Sequence, residues 1–456
     1  MTSTPPARST ESKEAGEKTL IKKTIKPRIA QEKTDIALTS SRMRTLFDDV
    51  GRRFFAFSLL MRLPSFMIAL ATLLIMAHRT GEVSLGAYAP GLIALCSAAT
   101  HQTYRALSSR FGYRWVLFIT ATLNIPAVAF LMIQTMSFNE DGELSSVILL
   151  LVAAACAGLT TAPLGAMMRS FWAVRFADPS QRSLLVSSTA FESILDVLAM
   201  PVAAVIVGVV SLLGGIQSSL FAVIVINVLG MMLVLWSPHT TALLVSHRPD
   251  FSHSVLTRYS GRQLGWIPML GTACLGIALG STQSALVIRS VQIDALESVG
   301  LYLGIMGASG TLVCLVLMVR LTRLATWEGW LSSAVILLLS SMLLSIPQSR
   351  WALVTVLVLF GCVLGGALMC MDTLITRLSM RHNIDLAHST TQSTYIGGLA
   401  LGFVWAVVFG GMTNASAAML VPLIAATGFL ILSHIFGFRW RQLYEERLRP
   451  LESEEY

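Results

Sequence analysis

Apolar stretches of about 20 residues recur along most of this 456-residue chain, and they constrain its fold more than any other feature. A helix of that length crosses the hydrocarbon core of a bilayer while satisfying its own backbone hydrogen bonds. The stretches lack the alternating pattern of membrane barrel strands. The sequence therefore predicts an all-α polytopic membrane protein. Its charge content agrees, because 13% of the residues are charged, whereas soluble domains carry about 25%.

Twelve transmembrane helices are predicted, six on each side of the longest loop. They cover approximately residues 54–78, 84–104, 114–136, 144–168, 183–212, 217–237, 264–288, 298–319, 327–346, 351–376, 387–411 and 417–438. The predicted organisation is a disordered basic cytoplasmic tail at 1–53, a six-helix half at 54–237, a cytoplasmic central loop at 238–263, a second six-helix half at 264–438 and a cytoplasmic tail at 439–456.

The distribution of arginine among the loops predicts the orientation. Arginines cluster in alternate loops, at 105, 110 and 114, then 169, 175 and 182, then 248, 258 and 262, then 320 and 323, and finally 377 and 381. The opposite loops are poor in Arg and Lys, and the one from Phe138 to Glu143 is acidic. Because basic loops stay in the cytoplasm, both termini are predicted to be cytoplasmic. The net charge of +8 is thus explained by topology, and we expect no nucleic-acid partner.

Two carboxylates lie inside the fifth predicted helix. Glu192 and Asp196 are one turn apart in the apolar stretch Ser183–Gly215, so they share a helix face. An acidic residue at membrane depth costs about 2.5–3.5 kcal/mol and usually faces the bundle interior or a water-filled cavity. Neighbouring carboxylates cannot both ionise cheaply, so the pair is suited to exchange protons. The alternative is a structural role, in which a basic neighbour neutralises the pair and holds helices together.

Other polar residues at membrane depth are weaker candidates. Arg62, about eight residues into the first helix, is predicted either to extend to the membrane surface or to lie beside the carboxylates or the substrate. Asp372, in the tenth helix, is a candidate transport residue, with pairing to Arg377 or Arg381 an equal interpretation. The uncharged candidates for a substrate cavity are Gln283, Gln392 and Asn124, although such groups most often bond to a neighbouring helix.

A loop after the second predicted helix resembles a motif of the major facilitator superfamily (MFS). The segment Tyr104–Leu117 reads YRALSSRFGYRWVL, and Arg110, Gly112 and Arg114 match the motif. Arg105 and Ser109 stand where the family has a glycine and an aspartate.

A longer segment, Pro163–Ala204, resembles the fourth and fifth helices of actinobacterial members of this superfamily described as predicted efflux permeases. The matching residues are Arg169, Trp172, Glu192, Asp196 and Pro201, and further similar segments are Met61–Pro64, Gly276–Ile288 and Tyr395–Gly411. The resemblance covers about residues 54–438. It implies a transporter of the bacterial cytoplasmic membrane that exposes one central site alternately to either side, driven by an ion gradient.

Motif searches exclude other classes of function. The chain contains no GxxxxGK[ST] loop for ATP and neither HExxH nor GxSxG, so neither an ATP-driven pump nor an enzyme is expected. Its six cysteines show no CxxC spacing, and no metal or other cofactor is expected. The leading hypothesis is a proton-coupled secondary transporter, working as a monomer, that exports a small organic molecule. The alternative is a transport-inactive membrane protein that uses the same fold for binding or regulation.

Overall fold

The computed structural model describes residues 52–80, 83–138, 144–176, 178, 181–236, 265–293, 295–318, 327–346, 349–378, 384–410 and 414–443, with the single positions 41 and 44. Nearly all of the predicted N-terminal tail, the whole central loop and residues 444–456 lie outside these ranges, as does most of the acidic loop. The helices below all belong to the unit Val50–Tyr456.

The N-terminal half contains seven described helices. They are α1 (Arg52–Thr80), α2 (Val83–Phe111), α3 (Tyr113–Ser137), α4 (Leu144–Leu159), α5 (Leu164–Arg175), α6 (Arg182–Gly214) and α7 (Ser218–Trp236). The fourth predicted helix, expected to be continuous over 144–168, is broken between α4 and α5. Pro163 explains the break, because proline has no backbone N–H to donate and disfavours helical geometry in the residue before it. Pro163 precedes the first residue of α5.

The C-terminal half follows with α8 (Trp266–Gln292), a 3₁₀ turn (Leu296–Ser298), α9 (Val299–Met318), α10 (Trp327–Leu343), α11 (Arg350–Leu378), α12 (Ile384–Gly410), α13 (Ala415–Ala418) and α14 (Leu420–Leu443). The short α13 is capped by Asn414, whose side-chain oxygen accepts a hydrogen bond from the Ala417 N–H at 3.0 Å.

The helices are apolar and long enough for a membrane protein. Within the described residues, nine helical segments are long and apolar enough to cross a bilayer, and Ser218–Leu233 and Trp327–Leu343 are shorter apolar helices. Large apolar side chains such as Leu213, Val316 and Trp351 point outward and are largely exposed. In water this would be an unfavourable surface, whereas in a bilayer it contacts lipid. The predicted all-helical membrane fold is confirmed, while the number of twelve spans and the orientation stay predictions.

The two halves repeat the same packing scheme when α4 and α5 are counted as one broken helix. In the first half, α1 packs on α6 and α7, α2 on α4, and α3 on α7. In the second half, the helices at corresponding positions pack likewise: α8 on α12 and α14, α9 on α11, and α10 on α14. This internal repeat is the arrangement in which a binding site lies between the halves.

The halves meet along two seams, α2 against α12 and α6 against α9. Small residues allow the second seam to close. A Cβ atom on Gly300 would lie 2.5 Å from the Ala204 carbonyl oxygen, and one on Gly307 would lie 2.9 Å from the Cβ of Pro201. The backbones of α6 and α9 therefore approach as closely as glycine permits.

Candidate functional site

A cavity lies between the two halves and takes its walls from both. Its lining includes Arg62 and Ser65 of α1, His101 of α2, Gly165 and Arg169 of α5, Asp196 and Met200 of α6, Asp372 of α11, and Gln392 and Tyr395 of α12. The empty space between the walls is about 1040 Å³, including space open to solvent. Largely apolar walls with a few charged and polar groups are typical of sites that bind a small organic molecule.

Arg62 joins the two carboxylates of α6. Its Nη2 donates to Glu192 Oε2, and its Nε donates to Asp196 Oδ1 at 2.7 Å. Its Nη1 donates to the carbonyl oxygen of Ser58, one turn earlier in α1, at 3.0 Å. The side chain is buried. Of the two predictions for Arg62, extension to the membrane surface is therefore wrong, and a position beside the carboxylates is what the structure shows.

Glu192 is fully buried and engaged at both oxygens. Oε2 is paired with Arg62, while Oε1 accepts a hydrogen bond from the indole N–H of Trp172 at 2.8 Å. Trp172 is itself buried and stacked on Phe176 at a centroid distance of 5.6 Å. Glu192 is absent from the cavity lining. These contacts fit the alternative described in the sequence analysis, a structural role in which a basic neighbour neutralises the carboxylate and holds helices together.

Asp196 lies one turn further along α6 and faces the cavity. Its side chain is 21% exposed, and besides Arg62 it lies 2.9 Å from Arg169 Nη1. Its Oδ2 also accepts a hydrogen bond at 2.7 Å from Gln392, which belongs to the other half. A Cβ on Gly165 would lie 2.5 Å from Asp196 Oδ1, so the absence of a side chain at Gly165 makes room for the carboxylate.

Arg169 extends the network into the second half. Its Nη2 donates to Ser193 Oγ at 3.1 Å and lies 3.6 Å from Asp372 Oδ2. Its Nε and Nη1 are buried without a hydrogen-bond partner of suitable geometry, although Nη1 is within ion-pair distance of Asp196. Asp372 thus faces Arg169 in the described structure, and the side chains of its sequence-predicted partners, Arg377 and Arg381, lie outside the described residues.

Two buried histidines near these groups escaped the sequence analysis as site residues. His388 is buried on α12, with Nδ1 3.8 Å from Asp372 Oδ1 and Nε2 2.9 Å from Thr376 Oγ1. His101 is buried on α2, with Nδ1 2.7 Å from the Ser97 carbonyl oxygen. Each lies inside a predicted span, near its end, and an ionisable residue within a span is the signal that could have identified them.

The three uncharged candidates, Gln283, Gln392 and Asn124, lie at three different places in the structure. Gln392 lines the cavity, and Gln283 lines a smaller neighbouring cavity bounded by Phe66, Leu279 and Phe403. Asn124 lines neither of them. It lies within the first half, where its Nδ2 donates to the Ala157 carbonyl oxygen at 3.1 Å and its Oδ1 accepts from Asn227 at 2.9 Å.

The remaining motif residues lie away from the cavity. Gly112 joins α2 to α3 with a φ of 88°, a backbone conformation that favours glycine. Arg110 is exposed beside it, with its guanidinium 5.5 Å from the centre of the Phe111 ring, and Arg114 follows in the first turn of α3. Pro201 lies inside α6, where it packs against Gly307 at the α6–α9 seam.

Comparisons with known proteins support the fold. No protein-family model matches the chain, and no curated protein is significantly similar. The crystal structure of the human organic anion transporter MFSD10 (TETRAN) superposes with a TM-score of 0.58 at 13% identity, covering 84% of this chain and 97% of that one. The crystal structure of a point mutant of the nucleoside transporter NupG gives a TM-score of 0.60 at 14% identity, with coverage of 84% and 98%. The chain therefore has an MFS-like fold and is similar in fold to membrane transporters.

Proposed function

We propose that this protein is a secondary active transporter that exports a small organic molecule in exchange for protons by alternating access. The observation that carries this proposal is the ionic network across the central cavity. Asp196 binds Arg62 and Arg169 in its own half and Gln392 in the other. The network thus links a titratable group to the relative position of the two halves.

The link provides a physical basis for coupling. If the second half moves away from the first, the bond from Gln392 of α12 to Asp196 breaks, and the distance from Arg169 to Asp372 of α11 also increases. Protonation of Asp196 removes the charge that holds both arginines, so the contacts of the closed arrangement weaken. A proton that binds one arrangement of the halves better than the other shifts the equilibrium between them. Conversely, a change in the arrangement of the halves changes the affinity of Asp196 for a proton, because such coupling is reciprocal.

Glu192 and Asp196 have different parts in this scheme. Arg62 lies between them, and Glu192 is sealed from the cavity by Arg62 and Trp172. Asp196 is the member of the pair with exposed surface and with a partner in the other half. We therefore assign proton exchange to Asp196 and the positioning of Arg62 to Glu192, in place of a direct carboxylate pair.

Transport driven by a pH gradient tests the proposal. The purified protein is reconstituted in liposomes and presented with labelled amphipathic organic compounds that carry positive, negative or no charge. We expect at least one compound to accumulate against its concentration gradient when a pH gradient is imposed, and accumulation to collapse with a protonophore. In Asp196→Asn, uphill accumulation should be lost while downhill exchange survives.

The matched control is Glu328→Gln, which makes the same chemical change at an exposed carboxylate in the first turn of α10. It should accumulate substrate as the wild type does. Binding of a compound without any flux would support the alternative of a transport-inactive binding protein. Uphill transport by Asp196→Asn with an unchanged pH dependence would remove Asp196 from the coupling mechanism.

A further inference from the structure

The ionic network around the cavity carries an excess negative charge. Among the described side chains it contains three carboxylates, Glu192, Asp196 and Asp372, and two guanidiniums, Arg62 and Arg169. An uncompensated charge at membrane depth is costly unless a counter-charge reaches it. Among the described side chains, the network therefore lacks one positive charge, which a bound cation or a proton would supply.

Asp372 is the carboxylate that the two described arginines compensate least. Arg62 is engaged by Glu192 and Asp196, and Arg169 lies 2.9 Å from Asp196 but 3.6 Å from Asp372. Unlike the other two carboxylates, the Asp372 carboxylate makes no hydrogen bond to a described residue. It lines the cavity with 25% of its side chain exposed. A ligand in the cavity can thus reach Asp372 directly.

His388 offers Asp372 a partner for a proton. The Thr376 hydroxyl donates to the Asp372 carbonyl oxygen at 2.7 Å, and with its hydrogen used there it accepts from His388 Nε2–H at 2.9 Å. In that arrangement Nδ1 of a neutral ring presents a lone pair to Asp372 Oδ1, 3.8 Å away, and Nδ1 is buried without any other partner. Two bare acceptors that face each other repel and form no hydrogen bond at 3.8 Å, whereas a proton on either one makes the contact attractive. The pair is arranged to share one proton.

Other titratable groups surround this pair. Those that face Asp372 or His388 among the described residues are Arg169 of α5, Asp196 of α6, Cys314 of α9 and Tyr395 of α12, while Arg62 of α1 and His101 of α2 lie further along the cavity wall. Both arginines are already counted in the network, Arg62 beside Glu192 and Asp196 and Arg169 beside Asp196 and Asp372, so neither supplies the missing positive charge.

The exposed groups favour a cationic ligand over an anionic one. Arg169 has two donor atoms without hydrogen-bond partners, but both are shielded from the cavity. Asp372 presents charged surface to the cavity instead. The remaining walls are largely apolar, with Phe66, Met200 and Leu399 among them, and they suit a hydrophobic body.

We propose that the substrate is an amphipathic organic cation and that its cationic group and a proton occupy Asp372 in turn. Binding of the cation releases the proton shared with His388 to solution, and protonation of the pair expels the cation. The inference rests on the proposed transporter function for its role in transport, and it is tested by binding, which requires no transport.

The test uses tetraphenylphosphonium as the probe and tetraphenylborate as an anion of the same shape. Binding to the full-length protein in nanodiscs is measured by titration calorimetry between pH 5 and pH 9, with empty nanodiscs subtracted. We expect the cation to bind in preference to the anion. Its affinity should fall by up to roughly tenfold per pH unit on the acidic side, as one-for-one competition with a proton requires. Calorimetry in buffers of different ionisation enthalpy should show up to one proton released per cation.

Variants locate the effect. Asp372→Asn should weaken cation binding at least tenfold and abolish proton release, whereas Asp372→Glu should retain both, and Glu328→Gln should behave as the wild type. If Asp372→Asn does not fold, the preference of the wild-type protein for cation or anion and the pH dependence of its affinity still test the inference.

Three results would overturn the inference: preference for the anion, an affinity that does not change with pH, or full proton release in Asp372→Asn. If the protein binds the cation and releases a proton but shows no flux in liposomes, the proposed transport function is refuted and this inference stands. If it transports only anions or neutral compounds uphill, this inference is refuted and the proposed function stands.

Discussion

Gln392 donates its Nε2 hydrogen to Asp196 Oδ2 over 2.7 Å, and this bond joins the two halves across the cavity. A hydrogen bond to a charged group contributes about 1.5–3 kcal/mol, against about 0.5–1.5 kcal/mol for a neutral pair. Gln392→Leu should therefore loosen the contact between α12 and the first half. Backbone hydrogen exchange, followed by mass spectrometry, should become faster in peptides from α12.

The matched control for this change is Gln102→Leu. Gln102 of α2 donates to Thr390 Oγ1 of α12 at 3.0 Å, so it also bonds across the halves but between neutral groups. We expect a smaller increase in exchange. Equal increases in the two variants would show that the charge on Asp196 does not strengthen the contact.

Arg62 and Glu192 should behave as a structural pair. Glu192→Gln leaves the buried guanidinium without one of its two carboxylates, and breaking a buried ion pair costs about 3–5 kcal/mol. We expect reduced yield of monodisperse protein and a lower Tm in detergent. The double variant Arg62→Met with Glu192→Gln removes both charges and should be less destabilised than the two single variants together. Strict additivity of the two effects would mean that the ion pair does not couple these positions.

The α6–α9 seam should not tolerate a methyl group. Gly300→Ala places a Cβ 2.5 Å from the Ala204 carbonyl oxygen, so the helices have to separate, at a cost of about 1–3 kcal/mol. Gly397→Ala on α12 is the matched control, because no atom lies within 4 Å of its added Cβ. Thermal unfolding should show a lower Tm for Gly300→Ala and an unchanged or higher Tm for Gly397→Ala. A similar loss in both variants would show that the close approach at Gly300 is not the cause, because helix propensity by itself favours alanine at both positions.

The orientation predicted from the arginine-rich loops is testable on intact cells. A cysteine introduced at Asp141 should react with a membrane-impermeant maleimide, and one introduced at Ser252 should react only after the cells are opened. The protein without an introduced cysteine is the control for its six native thiols. The opposite labelling pattern would reverse the assignment of both termini to the cytoplasm.

Much of the candidate site was already present in the sequence analysis as single residues. Glu192, Asp196, Arg62 and Asp372 were selected because a charge at membrane depth is conspicuous in an apolar segment. Their pairing was predicted only as one of two alternatives for Arg62, because Arg62 meets Glu192 across 130 residues of chain. His388 was missed for a related reason, because its importance comes from an aspartate on another helix.

Asn124 shows the opposite error. A polar amide in an apolar segment was a reasonable candidate for the cavity, but its neighbours in space are the Ala157 carbonyl oxygen and Asn227 of the same half. A polar residue in a span has to find a partner, and the sequence does not say whether that partner is another helix or a ligand.

The all-helical membrane fold and the approximate positions of its helices could be predicted from the sequence, because the length and hydropathy of a spanning helix are local properties of the chain. Pro163 was also a local signal for the break between α4 and α5, but the prediction of a continuous helix over 144–168 did not use it. The different surroundings of the two carboxylates could not be predicted in this way: Glu192 is sealed behind Arg62 and Trp172 while Asp196 faces the cavity, although the two lie one turn apart on the same helix. That difference depends on which side chains of other helices reach each carboxylate, and packing between distant segments sets those contacts.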